Sequence, residues 1–344
     1  MSKLRLMECF GGIGACSKAL ERLGIDYEIA DYVEIDKFAV ASFNAMHGTN
    51  FEPQDIRDWN KNIPVDFIMH GSPCQDFSVA GKNAGGDEGS GTRSSLMYET
   101  LRIVDQLRPK YVLWENVKNL LSTKHKPNWD KYCHRMAEMG YVNTAKVLNA
   151  KDYGIPQNRE RVYTLSIRKD IIVYDDYNSA IRQDQDTIGT LTTNCGASAP
   201  RNGWKIIEKE PEFKFPEPIP LEKRLKDVLE SNVDEKYYLN DEQVHKMTHS
   251  SFNSERGRIK NPDEILSTIR ARDYKGPQCV KVADTPDLRI RKLTPKECWR
   301  LMGFDDSDFE KAAKVNSNAQ LYKQAGNSIV VDVLVAILRE LLCK

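Results

Sequence analysis

The chain has 344 residues, 40% of them hydrophobic, with 50 basic against 50 acidic side chains and zero formal net charge. That length and apolar content fill one large core and a smaller one, while no apolar run nears the ~18 residues of a membrane helix. Charge balance argues against a protein that coats nucleic acid or membrane indiscriminately, and Met1 to Cys9 lacks the layout of a signal peptide, so a cytoplasmic setting is expected.

From Leu4 to Arg168 short β-rich runs alternate with amphipathic segments, the pattern of a parallel α/β sheet covered on both faces. Strands are predicted at 4–9, 27–33, 66–70, 111–115, 144–149 and 162–167, and helices at 15–23, 37–46, 95–107 and 129–139. After about Asp170 the texture turns charge-rich and irregular, with a proline-spaced tract at 211–220. The tail from Ile329 to Leu342 is apolar on nearly all sides and predicts a core helix that packs back on the first domain. The expected organisation is a discontinuous large domain, 1–172 with 316–344, and a smaller, mostly β domain over 173–315. The eight cysteines show no paired close spacing, so reduced thiols are expected and no zinc ribbon. His245 and His249, at i and i+4, lack a Glu between them or a Cys pair nearby and read as an exposed helix face, so no metal is expected.

Several loops carry chemistry. Phe10-Gly11-Gly12-Ile13-Gly14 follows the first strand and opens the first helix, where a nucleotide-like ligand meets glycine backbone, although tight packing alone also asks for glycine. The spelling departs from G-x-G-x-x-G, which disfavours a dinucleotide. Phe10 can stack on an adenine or a sulfonium-bearing chain. Glu34, beside Ile35, can accept ribose hydroxyls or be an ordinary strand-end acid, and Asp55, beside Ile56, can accept an adenine amino group or simply cap a turn. Gly71-Ser72-Pro73-Cys74-Gln75-Asp76-Phe77-Ser78 puts a thiol in a proline-stiffened turn after the third strand, where parallel sheets expose nucleophiles; a lone Cys there can equally be a small buried hydrophobe. Basic residues cluster at Arg256, Arg258 and Lys260, at Arg270, Arg272 and Lys275, and at Arg289, Arg291 and Lys292, a distribution suited to neutralising phosphates along one groove.

Together with Trp114-Glu115-Asn116-Val117, Gln157-Asn158-Arg159-Glu160-Arg161, Arg291-Lys292-Leu293-Thr294-Pro295-Lys296-Glu297 and Gln324-Ala325-Gly326-Asn327-Ser328-Ile329, in this order, these segments resemble the DNA (cytosine-5)-methyltransferase family of restriction-modification or phage type. The resemblance implies a Rossmann-like S-adenosylmethionine-dependent methyltransferase sheet with a target-recognition domain between the Arg161 and Arg291 segments. It implies Cys74 as nucleophile, Glu115 as the acid at the base, and Arg161 holding the base oxygen with Gln157 and Arg159 in support. It further implies S-adenosylmethionine held by Phe10, Gly11, Gly12, Gly14, Glu34, Ile35, Asp55, Ile56, Pro73, Asn327 and Ser328. The chemistry agrees: carbon 5 of cytosine is a poor nucleophile until a thiolate adds to carbon 6, and a base inside a duplex must swing out to reach it. Phe77 to Thr92, with five glycines, suits a closing lid. Double-stranded DNA is the implied partner of a monomeric enzyme, with functional pairing to a restriction endonuclease. An RNA (tRNA)-directed enzyme of the same family and a non-catalytic DNA-binding relative are the alternatives. A nucleotide-dependent oxidoreductase is disfavoured by the broken glycine pattern.

Overall fold

Strict alternation along the first strand sets the architecture, because its odd and even side chains meet two different helix layers. The computed structural model describes residues 3–73, 93–172, 213–249, 259–276, 278–282 and 289–343. Its first part contains β1 (Leu4–Cys9), α1 (Ala15–Arg22), β2 (Tyr27–Val33), α2 (Lys37–His47), β3 (Phe67–His70), α3 (Met97–Leu107), β4 (Tyr111–Val117), α4 (Lys126–Glu138), β5 (Tyr141–Asn149), β6 (Gln157–Asn158) and β7 (Glu160–Arg168). Then follow α5 (Asp241–His249), β8 (Ile259–Lys260), β9 (Leu266–Ser267), β10 (Cys279–Val282), β11 (Arg289–Lys292), α6 (Pro295–Arg300), α7 (Asp306–Ala313), α8 (Asn318–Asn327) and α9 (Val331–Leu342).

Among the described residues, six strands form the main sheet in the order β2-β1-β3-β4-β7-β5. Leu6, Phe67, Leu113 and Leu165 join one buried cluster with α1 and α9, and Met7, Ile68, Val112 and Trp114 join another with α3 and α4. The chain is thus an α/β protein whose apolar last helix lies against α1, where Arg22 also pairs with Asp332 at 3.3 Å. α4 begins at Lys126 rather than Trp129, because Pro127 is tolerated in a first turn whose N–H groups have no partner anyway.

The sheet is mixed, not parallel throughout as the alternation predicts. β7 runs antiparallel to both β4 and β5. Only residues 150–159 separate β5 from β7, which is shorter than the crossover of about a dozen or more residues that a parallel neighbour requires.

Beyond β7 the described residues hold short strands joined by helical turns. β8, β10 and β11 make a three-stranded sheet, while β6 pairs with β9 and so ties this part to the segment before β7. The phosphate-neutralising reading fails for Arg291. Its side chain is 1% exposed and forks onto Glu297, itself 0% exposed, at 2.7 and 2.9 Å. Glu297 also accepts from the backbone N–H groups of Thr294 and Glu230 at 2.8 Å each, so the pair is satisfied on every side. Arg289 pairs with Glu235 and lies 3.8 Å over the Tyr238 ring, and Arg270 pairs with Asp273; Arg256 and Arg258 lie outside the described residues. At Gly326 an added Cβ would fall 2.1 Å from the Ala271 nitrogen and 2.2 Å from the Arg270 carbonyl carbon, so only glycine lets α8 approach that backbone.

Removing one partner of a buried ion pair leaves the other charge uncompensated, at a cost of about 3–5 kcal/mol. Arg291→Ala should therefore lower the urea unfolding free energy by about that much, whereas Arg291→Met combined with Glu297→Gln, which removes both charges and keeps an acceptor for the Thr294 and Glu230 N–H groups, should cost less than the single change.

Candidate active site

β4 and β7 bring the site's acid and its guanidinium together. In their antiparallel register Glu115 stands opposite Tyr163 and Val117 opposite Arg161, so Glu115 and Arg161 are diagonal neighbours on one face. Arg161 Nε forms an ion pair with Glu115 Oε1 at 3.0 Å, and its Nη1 donates to the Glu160 carbonyl at 2.8 Å. Burial pushes the Glu115 carboxyl above its ordinary value, and the positive charges of Arg161 and Arg159 pull it back. Glu115 Oε2 also lies 3.9 Å from where a Cβ on Gly71 would stand, so the acid faces the start of the turn that leads to Cys74. Cys74 itself, and the predicted lid from Phe77 to Thr92, lie outside the described residues.

Glu115 closes one end of a cleft that also takes in Glu8, Phe10, Gly12, Asn327 and Ile329. The turn from β1 into α1 is unusual in holding Phe10 and Gly12 at φ 54° and 56°, the left-handed region that a side chain such as Phe10 rarely enters. Two contacts hold it there: the Tyr32 hydroxyl donates to the Gly12 carbonyl at 2.6 Å, and the Gly12 N–H donates to Glu34 Oε2 at 3.1 Å. Glu34 Oε1 accepts from the Asp36 N–H at 2.8 Å, which leaves further lone pairs on both oxygens. Burial raises the Glu34 carboxyl and these two backbone donors oppose the rise.

The C-5 cytosine-specific DNA methylase family model matches residues 4–343. The chain belongs to that family. It is 31% identical to the orphan methyltransferase M.SPBetaI of Bacillus phage SPbeta, over 99% of this chain and 98% of the relative. It is likewise 31% identical to the type II methyltransferase M.HhaI of Haemophilus parahaemolyticus, over 97% of this chain and 93% of the relative. The solved Dnmt2 methyltransferase of S. pombe shares the fold, with a TM-score of 0.67 at 20% identity, covering 99% of this chain and 98% of its own. This methylase is therefore a DNA (cytosine-5)-methyltransferase.

Not every residue singled out in the sequence reaches the cleft. Phe10, Gly11, Gly12, Glu115, Asn327 and Ser328 line it, and Glu34 borders it through Gly12. Ile35 stands beside Glu34 with 65% of its surface exposed, Asp55 caps a short turn and pairs with Arg57, and Ile56 is buried behind it. Gly14 heads α1, packed close to Phe43 and His47, while Pro73 follows the Ser72 turn. Gln157 and Arg159 act as brackets. Gln157 donates to the Leu301 carbonyl at 2.9 Å and accepts from the Ile269 N–H at 3.0 Å. Arg159 donates to the carbonyls of Ile269 and Ser328 at 2.9 and 2.7 Å, tying the Asn327 segment to the β9 segment.

Glu8 escaped the sequence reading. An acid in the Leu4–Cys9 strand, next to the apolar pair Leu6-Met7, was its one signal. It accepts from the Ser17 N–H at 3.1 Å and from the Ser17 hydroxyl, and burial pushes its carboxyl from 4.5 up to about 7. The folded state then holds this proton more tightly than the unfolded chain does. Its stabilising contribution is complete below pH 4.5 and is lost as pH rises to about 7. Glu8→Gln should therefore shrink the loss of urea midpoint measured between about pH 5 and about pH 8, and an unchanged loss would show that Glu8 does not titrate there.

Proposed function

We propose that this methylase uses S-adenosylmethionine to methylate carbon 5 of a cytosine swung out of a specific duplex DNA sequence, with Cys74 as nucleophile, Glu115 as the acid and Arg161 as its orienting partner. The observation that carries this reading is the ion pair between buried Glu115 and half-buried Arg161, with Glu115 lining the same cleft as Gly71 and the strained Phe10–Gly12 turn. The residues present suit the methyl donor. Glu34 has lone pairs free for a ribose diol, Phe10 offers a ring for a sulfonium, and Ile35 leaves an apolar side chain exposed where an adenine face can cover it. When bound, S-adenosylmethionine supplies an electrophilic methyl group.

The chain's own part is to make carbon 5 receptive. Addition of the Cys74 thiolate to carbon 6 moves an electron pair toward N3, where a protonated Glu115 donates a hydrogen bond or its proton. Burial favours that protonated form, and the Arg161 guanidinium keeps the carboxyl oriented while its remaining N–H groups can hold the base oxygen. After methylation the carbon 5 proton leaves to water, the carbon 6–sulfur bond breaks to release the thiolate, and a proton taken by N3 returns to Glu115, which restores the aromatic ring and the acid. A carboxamide at position 115 can still bond to the base but cannot give up a proton. The enzyme acts as a cytoplasmic monomer, and a restriction endonuclease of the same specificity is its functional counterpart.

Duplex DNA carrying 5-fluorocytosine at the target blocks the last step, since fluorine cannot leave as a proton does. In the presence of S-adenosylmethionine it should trap a covalent complex that Cys74→Ser does not form. Glu115→Gln should lower kcat by about 10²-fold or more with little change in DNA affinity. Methyl transfer to RNA and not to duplex DNA would overturn the substrate assigned here.

A further inference from the structure

The other face of β4 carries an arrangement that the mechanism above does not use. Glu115 points into the cleft, so its neighbours Trp114 and Asn116 point to the opposite side. Both reach the same residue there. Trp114 Nε1 donates to Ser72 Oγ at 2.9 Å, and Asn116 Nδ2 donates to the Ser72 carbonyl at 3.2 Å. All three side chains are buried. The indole is itself held: it stacks on His70 with ring centroids 5.6 Å apart at 6°, and Tyr132 packs 4.3 Å away while sharing a 3.0 Å hydrogen bond with His70 Nε2.

We propose that Trp114 is a positioning residue for the methylation: its indole N–H, with Asn116, pins Ser72 and so fixes the start of the Cys74 turn against the strand that carries Glu115. This rests on the reading of Cys74 as nucleophile. The covalent path from Ser72 to Cys74 is short and stiff. Both peptide bonds are planar, Pro73 locks its own φ, and the residue before a proline is confined to extended conformations. Pro73 ψ is the one unrestricted torsion between Ser72 and residue 74, so most of a displacement of Ser72 is passed on to residue 74. One strand thus sets the acid with its odd side chain and the approach to the nucleophile with its even ones.

Trp114→Phe keeps an apolar ring and removes the donor. Single-turnover formation of the 5-fluorocytosine adduct, at saturating DNA and S-adenosylmethionine, should slow by about tenfold, while the dissociation constants of both ligands stay within about twofold of wild type. Ser72→Ala removes the same bond together with the 3.4 Å bond from Asn116 Nδ2 to Ser72 Oγ, so it should slow the reaction at least as much, and the double variant should lose no more than Ser72→Ala alone. Should Trp114→Phe fail to fold, Ser72→Ala carries the test by itself. An adduct rate near that of wild type in either folded single variant, losses that multiply in the double variant, or a slowing matched by weaker ligand binding would each overturn the positioning role. A wild-type enzyme that forms no adduct would instead overturn the reading of Cys74, and the positioning role with it.

Discussion

The antiparallel pairing of β7 with β4 decides where chemistry can occur. Glu115 lies near the carboxyl end of β4, and Arg161 near the amino end of β7. Antiparallel strands bring those two ends to one edge of the sheet, where the diagonal register sets guanidinium against carboxylate at 3.0 Å. In a parallel pairing the amino end of β7 would lie at the opposite edge, away from the glycine turns after β1 and β3. The short connection that forces β7 to turn back is therefore what assembles the site.

Two opposing influences act on Glu115. Loss of water favours the neutral acid, and the nearby guanidinium groups favour the carboxylate. Burial by itself favours the protonated group, and the ion pair by itself the charged one. Their opposition suits the acid role proposed for Glu115. The surrounding brackets hold that balance in place. Arg159 and Gln157 spend their hydrogen bonds on carbonyls and an N–H from the β9, α6 and Asn327 segments, and Gly326 admits the Arg270–Ala271 backbone to contact distance.

Much of this was legible in the chain. The β1–α1 turn announces itself because a strand that passes directly into a helix needs residues tolerant of left-handed backbone, and Gly12 and Gly14 supply them. The direction of β7 was less visible, since alternating runs look alike whichever way a strand points. Long polar side chains were the least legible. Arg159, Gln157 and Arg291 sit among motifs that suggest chemistry or phosphate binding, yet their ends meet Ser328, Leu301 and Glu297, and local sequence does not record where a guanidinium or carboxamide finishes. Glu8 was hidden for the opposite reason: a second charged residue in a strand that already carries Arg5 looks like noise until its cavity is seen.

Burial and Arg161 compete over the proton of Glu115. Carbon-13 NMR titration of glutamate-labelled protein, with Glu115→Gln to assign the resonance, measures that contest directly. The expected result is a midpoint above the ordinary carboxyl value in the wild-type enzyme and a further upward shift in Arg161→Gln. An ordinary midpoint, or one that does not move when the guanidinium is removed, would contradict it.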